Sequence, residues 1–155
     1  REKIGRLPCS CSVGHYPHVR NLREGAGHFR THTLGDETIL GMNRYPVFGP
    51  LLMFGLGGIF VEVMKDVTFH IAPITEGEAM QMLEATKSFA LLKGVRGEAS
   101  VDLHAIAVSL QRISQLVTDF PQILEMDINP FIVGEVGSQP VVADARMTLA
   151  GIGTD

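Results

Sequence analysis

The sequence is poor in the features that mark secreted and membrane proteins. It has only two cysteines in 155 residues, Cys9 and Cys11, and they are too close together for a useful structural disulfide, so no oxidised framework is expected. Its longest apolar stretch, residues 49–61, contains several glycines and is too short to cross a bilayer. No signal peptide opens the sequence. These absences predict a cytosolic protein without a membrane partner.

Several motifs of enzyme chemistry are missing as well. The sequence has no Gly-x-x-x-x-Gly-Lys-Ser/Thr phosphate loop, no Gly-x-Gly-x-x-Gly before a helix, and no serine in a nucleophile elbow. Neither cysteine has an obvious base partner. A protein nucleophile is therefore not supported, whereas a phosphate site built from oxygen ligands and a metal ion is compatible with the sequence.

The remaining composition is that of an ordinary folded protein, but its charge is unevenly distributed. Apolar residues make up 45% and charged residues 19% of the chain, which is long enough for one domain with a proper core. Residues 1–35 carry a net charge of +4, both cysteines and four of the six histidines, whereas residues 36–155 carry −8. We therefore divide the chain into an atypical head (1–35), a main domain (36–150) and a tail (151–155). Because it begins at Arg1 without a methionine, we expect a fragment.

The head segment, residues 1–35, allows three interpretations. Cys9, Cys11, His15 and His18 offer thiolate and imidazole ligands for zinc, although their spacing matches no common zinc module. The absence of periodicity is also typical of a poorly ordered tail or of an out-of-frame coding stretch. The positive charge would suit a nucleic-acid-binding arm, but no interleaved aromatic residues support one, so no nucleic-acid partner is expected.

Regular secondary structure is predicted from residue 36 onward. Residues 38–44, 51–56, 59–64 and 67–72 read as strands of an antiparallel meander. The capping box Thr75-x-x-Glu78 predicts a helix that continues to about Ser88, and Ser100 is the expected N-cap of a second helix. The second helix has an apolar stripe and ends at Pro121; its members are Leu103, Ile106, Leu110, Ile113, Val117 and Phe120. Strands, two helices and a final hairpin predict an α+β fold with helices on one face of a mostly antiparallel sheet.

The most informative polar residues lie in that final hairpin. Asp127-Ile-Asn129-Pro ends one apolar run, Asp144 ends the next, and the turn-like stretch 134–138 lies between them. If the hairpin is centred between Val136 and Gly137, Asn129 and Asp144 face each other with Cβ atoms about 5 Å apart. Asp127 joins their face through the two-residue period of a strand. Mg²⁺ usually takes one or two carboxylates from protein, so this is a candidate magnesium corner, although the same residues are also ordinary turn formers.

Five segments together resemble a known family. They are residues 37–44 (ETILGMNR), 48–62 (FGPLLMFGLGGIFVE), 91–97 (LLKGVRG), 127–130 (DINP) and 144–146 (DAR). They are similar to the C-terminal half of the ATP-grasp domain in NDP-forming acyl-CoA synthetases of the acetate–CoA ligase (ADP-forming) type, which are relatives of the succinyl-CoA synthetase β subunit. The resemblance covers residues 36–150, about three quarters of the chain.

The resemblance implies a reaction and a set of site residues. In this family acyl-CoA, phosphate and ADP interconvert with the free acid, CoA and ATP, through an acyl phosphate and a phosphorylated histidine. It implies Mg²⁺ and ATP/ADP as cofactors, with Asn129 and Asp144 as metal ligands and Asp127 as a helper. It also implies further candidates on the nucleotide side: Glu37, Gly55, Gly57, Gly58, Arg96 and Glu62. Glu62 is a weaker candidate, and Arg96 is either a phosphate neutraliser or a loop cap.

Some parts of the family pattern are not recognisable in the chain. Four features of the family have no recognisable counterpart in this sequence: the lysine-bearing strands of the other ATP-grasp half, the adenine-binding hinge, the histidine segments and the CoA-binding portion. We therefore expect CoA-binding or ligase domains, or a subunit of the same enzyme, as partners, and only weak Mg-nucleotide binding without turnover by the chain alone. The acyl substrate, ADP versus GDP and the oligomeric state stay open. The alternative function is a regulatory ATP-grasp-like module of a protein acetyltransferase fusion.

Overall fold

The computed structural model describes residues 35–57, 65–94 and 100–151. The strands in these ranges are β1 (Asp36–Tyr45), β2 (Gly49–Leu56), β3 (Val67–Ile71), β4 (Ile123–Val133), β5 (Val141–Val142) and β6 (Ala145–Leu149). The helices are α1 (Glu76–Glu84), α2 (Phe89–Leu92) and α3 (Leu103–Asp119). The strands form one sheet in the order β3-β2-β1-β4, with β5 and β6 both beside β4, and every pairing is antiparallel. The predicted α+β class is confirmed.

The hairpin of β1 and β2 forms the centre of the sheet. Thr38 pairs with Leu56 at one end and Tyr45 with Gly49 at the other, in unbroken register. Gly49 has a φ of 82°, a left-handed conformation that glycine adopts without a Cβ clash. The predicted strands 38–44 and 51–56 are therefore confirmed, each slightly longer than expected.

The core lies between one face of this sheet and the helices. Alternate residues of β1 and β2 point into it, and they meet the apolar stripe of α3; fully or almost fully buried members are Leu40, Met42, Leu52, Phe54, Ile106 and Leu110. Burial of each such side chain contributes roughly 1.5–3 kcal/mol. Leu52, Phe54 and Leu56 of β2 are thus core residues rather than an exposed apolar surface.

Helix α1 begins as predicted but ends earlier. The Thr75 backbone N–H donates to Glu78 Oε2 at 2.7 Å, and the Glu78 N–H donates to Thr75 Oγ1 at 3.2 Å, which is the expected capping box. The helix stops at Glu84 rather than near Ser88. The backbone N–H groups of Lys87 and Ser88 donate to the buried carboxylate of Asp66, at 2.8 and 2.7 Å, and this holds them in a turn.

Helix α3 begins later than predicted and ends, as predicted, just before Pro121. Its N-cap is Asp102, whose Oδ1 accepts from the Ala105 N–H at 2.9 Å, so the expectation of Ser100 was wrong. Phe120 is the C-cap, with a φ of −119°, and it is 47% exposed. The chain leaves helical geometry there, which turns the last residue of the predicted stripe away from the core.

Some predictions fall on parts of the chain that the structure does not describe. These are the strand 59–64 and the head up to residue 34 with its candidate zinc ligands. In the described ranges, no helix is long and apolar enough to span a membrane.

Candidate metal and nucleotide site

The sheet face opposite the helices carries the polar residues singled out from the sequence. Side chains alternate along a strand, so the core residues Leu40 and Met42 place Glu37, Gly41 and Asn43 on this outer face. The strand register then defines a row of residues across the sheet: Phe69, Met53, Gly41, Asp127 and Arg146. A groove of about 260 Å³ is lined by the first four of them. The outer face is therefore partly apolar at β3 and charged at β4 and β6.

The hairpin register predicted from the sequence is confirmed. Phe131 pairs with Val142 and Ile132 with Val141, which centres the hairpin between Val136 and Gly137. The Asn129 N–H donates to the Asp144 carbonyl at 3.1 Å. The backbones of the two predicted metal ligands are therefore directly opposite each other.

A β-bulge in β4 falls at this point. Thr38 pairs with Phe131 but Leu40 with Ile128, so β4 has one residue more than β1 between these pairs. The extra length lies at Asn129 and Pro130. It keeps Ile128 and Phe131 on the core side and leaves Asn129 exposed on the outer side. Bulges of this kind are over-represented beside functional sites because they redirect a side chain.

An arginine that the sequence analysis did not single out lies at the same corner. Arg146 pairs with Asp127 across β4 and β6, and its Nη2 is 3.7 Å from Asp144 Oδ2. The side chains of Arg146 and Asp144 are 82% and 57% exposed. The hairpin centre that pairs Asn129 with Asp144 also pairs Asp127 with Arg146, so the signal was present in the sequence.

The donor set of this corner fits magnesium. Asp127 is half-buried, Asn129 and Asp144 are exposed, and their side chains offer two carboxylates and one amide oxygen without sulfur or imidazole. Mg²⁺ prefers such oxygen ligands and retains water or phosphate oxygens in its remaining positions. The described ranges contain no group of three or more His, Cys, Asp and Glu side chains placed to hold a metal by themselves. Within the described ranges, these three side chains would leave further positions of an ion to water or phosphate oxygens.

Three of the predicted nucleotide-side residues, Glu37, Gly55 and Gly57, lie in the described ranges. Glu37 is exposed, and its carbonyl accepts from the Gly57 N–H at 2.7 Å. A Cβ at Gly57 would lie 2.9 Å from the Glu37 carbonyl oxygen, so glycine is required for this approach. Gly55 pairs with Ile39 on one side and Val67 on the other. Glu37 lies two residues from Ile39, which is about 7 Å along the strand.

The remaining predicted residues lie outside the described ranges. They are Gly58, Glu62 and Arg96. The structure thus brings Asn129 together with Asp144, and Glu37 together with Gly57, while Gly55 lies inside the sheet between β1 and β3.

The chain matches the family model described as the ATP-grasp domain over residues 29–149. It is 52% identical over 115 residues to acetate–CoA ligase [ADP-forming] I of Archaeoglobus fulgidus, covering 74% of this chain and 16% of that protein. It is 46% identical over 121 residues to the beta subunit of acetate–CoA ligase [ADP-forming] I of Pyrococcus furiosus, covering 78% of this chain and 51% of the subunit. The chain therefore spans about half of that subunit and a smaller part of the Archaeoglobus fulgidus protein.

Solved structures agree with this assignment. The chain superposes with a TM-score of 0.70 and 43% identity on the dinucleotide-forming acetyl-coenzyme A synthetase 1 of Ca. Korarchaeum cryptofilum, solved in complex with coenzyme A, Ca-AMPCP and HgCl⁺. The match covers 75% of this chain and 50% of that one. A second structure of that protein, with coenzyme A and Mg-AMPPCP, gives the same TM-score and identity and covers 75% and 54%. The family model, the sequence relatives and the solved structures agree, and the chain belongs to the ATP-grasp domain family.

Proposed function

We propose that this chain supplies the magnesium–nucleotide half of an ADP-forming acyl-CoA synthetase. The observation that carries the proposal is the bulged hairpin, which puts Asp127, Asn129 and Asp144 at one corner of the outer sheet face. Relatives that match about three quarters of the chain are ADP-forming acetate–CoA ligases, which favours this role over a regulatory module of an acetyltransferase fusion.

In the proposed site, Asn129 and Asp144 hold Mg²⁺ and Asp127 supports them. The ion would supply charge neutralisation at the phosphate oxygens. The chain itself positions the ligands through strand pairing, because the backbone bond from Asn129 to Asp144 fixes their separation. Phosphoryl transfer depends chiefly on such positioning and charge neutralisation, so the lack of a protein nucleophile in the sequence is compatible with this chemistry.

The predicted nucleotide-side residues would line the nucleotide cleft. Glu37 would be the acidic residue of the cleft, and the glycines would allow the nucleotide to approach the backbone closely. The Gly57 N–H already donates to Glu37, and Gly55 lies between two paired strands. We therefore assign Gly55 and Gly57 a steric role. Gly58 would supply backbone N–H contacts to phosphate, and Arg96 would neutralise phosphate charge.

The substrates and partners of the proposed function belong to the complete reaction. CoA, a carboxylic acid, phosphate and ATP/ADP are the reactants. The other ATP-grasp half would provide the second wall of the cleft, and CoA-binding or ligase domains, or a subunit of the same enzyme, would be the partners. Relatives in which the enzyme is divided into subunits are consistent with such a partner. On its own, the chain would bind Mg-nucleotide weakly and would not release ADP in an acid-dependent reaction.

Isothermal titration of the chain with Mg-ATP and with ATP plus EDTA tests the proposal. We expect weak, magnesium-dependent binding that is lost in the Asn129→Ala and Asp144→Asn variants. Asp119→Asn is the matched control, because Asp119 is an exposed aspartate at the end of α3. Binding that is indifferent to magnesium, or unchanged in both site variants, would refute the metal corner. Micromolar affinity or acid-dependent ADP release would refute the expectation that the chain is inactive alone.

A further inference from the structure

Among the ion pairs of the described residues, one involves the candidate metal corner, and its cation is Arg146. Its guanidinium Nη2 is 3.7 Å from Asp144 Oδ2, and across the ladder its residue pairs with Asp127. Opposite residues in an antiparallel pair share a face of the sheet. One positive group therefore lies beside the Asp144 carboxylate and on the same face of the sheet as Asp127.

We propose that Arg146 is a positioning residue that serves as the resident counter-ion of this corner and is displaced from Asp144 when a divalent cation binds. This inference rests on the proposed function. Two carboxylates on adjacent strands repel each other, and the guanidinium offsets that repulsion before a metal binds. A divalent cation and a guanidinium held by the same carboxylate repel each other, so metal binding favours opening of the pair.

The geometry of the pair allows this exchange. The Arg146 side chain is 82% exposed and the Asp144 side chain 57% exposed, so solvent screens their attraction. Pairs of this kind are weak, and a long exposed side chain can move without disturbing the core. The guanidinium carries five N–H donors in a planar fork that matches phosphate oxygens.

The exchange couples metal binding to phosphate binding. Without a nucleotide, the metal must displace Arg146 and leave it without a partner, which weakens metal binding. With a nucleotide, the phosphate oxygens give the released guanidinium a new partner. Arg146 thus disfavours metal binding in the absence of nucleotide and favours the metal–nucleotide complex.

Electron paramagnetic resonance of free Mn²⁺ tests the inference on the full chain, with and without ATP. In Arg146→Gln, we expect Mn²⁺ alone to bind about two- to fivefold more tightly, the range that an exposed ion pair allows. The increase in Mn²⁺ affinity on adding ATP should fall by at least the same factor. Arg146→Lys keeps the charge and should resemble the wild type. Arg112→Gln, an exposed arginine on α3, is the control and should change neither value.

The outcomes separate this inference from the proposed function. If Asp144→Asn loses Mn²⁺ but Arg146→Gln behaves like Arg112→Gln, the counter-ion role is overturned and the metal corner stands. Weaker Mn²⁺ binding by Arg146→Gln without ATP also overturns it. If Asp144→Asn binds Mn²⁺ as the wild type does, the metal corner itself is wrong.

Discussion

Replacement of Asp66 should weaken the fold in a way that depends on pH. The Asp66 side chain is buried, at 5% exposure, and it accepts hydrogen bonds from the backbone N–H groups of Lys87 and Ser88 and from the Ser88 hydroxyl. These bonds join the start of β3 to the turn between α1 and α2. Burial alone would raise the pKa of Asp66, but the hydrogen bonds from Ser88 and Lys87 outweigh burial and hold the pKa below its ordinary value.

The size of the effect follows from these contacts. A hydrogen bond to a charged group contributes about 1.5–3 kcal/mol, and a buried donor left without its acceptor costs about 1–3 kcal/mol. Asp66→Asn keeps the shape and one acceptor oxygen but turns an amide N–H₂ group toward donors. We expect the free energy of unfolding at pH 7 to fall by about 2–4 kcal/mol, a large share of the total for a small domain.

The pH dependence has a definite sign. Because the folded pKa of Asp66 is lowered, its ionisation stabilises the fold above the unfolded pKa of about 3.9, and this stabilisation is lost as the pH falls through the folded value. The difference between wild type and Asp66→Asn should thus be full at pH 7 and shrink below about pH 4.

Urea unfolding followed by circular dichroism between pH 3 and 7 measures this difference. Asp119→Asn is the control, since Asp119 is exposed, and its effect should stay within about 0.5 kcal/mol. An Asp66→Asn variant as stable as that control at pH 7 would refute the reasoning. So would a loss of stability that is the same at every pH.

Two further substitutions test the local geometry by urea unfolding and thermal melting. Gly57→Ala should destabilise the fold by about 1–3 kcal/mol, because its Cβ would meet the Glu37 carbonyl at 2.9 Å. Gly77→Ala is the control and should be neutral or stabilising, because its Cβ meets only Thr75 Oγ1, at 3.9 Å. Equal losses of stability in the two variants would contradict the steric role of Gly57. Thr75→Ala removes the cap shared with Glu78 and should cost about 1 kcal/mol, whereas an unchanged melting temperature would show that α1 does not depend on it.

The sequence predicted those parts of the fold that depend on local pattern. The hairpin register followed from the two-residue period of its strands and from the turn between them, so Asn129 and Asp144 could be paired without a structure. The same register contained the pairing of Asp127 with Arg146. The capping box at Thr75 is equally local, since its partner is three residues away.

The features that sequence analysis missed depend on distant contacts. The bulge at Asn129 exists only relative to β1, and the Thr38 hydroxyl that bonds the Phe131 carbonyl is 93 positions away. Helix α1 ends early because Asp66, more than 20 residues before Ser88, takes the N–H groups of the turn. The stripe of α3 predicted a buried Phe120, but the residue before a proline is disfavoured in helical geometry, and Phe120 leaves the helix as its C-cap.

The central claim is that the bulged hairpin is the metal corner of the nucleotide site. Its most direct test is the paramagnetic broadening of backbone amide NMR signals by Mn²⁺ in the presence of a non-hydrolysable ATP analogue. We predict that substoichiometric Mn²⁺ broadens the signals of Asp127, Asn129 and Asp144 first, and that Mg²⁺ restores them. Broadening centred on the helical face, or equal broadening in Asn129→Ala, would contradict the claim.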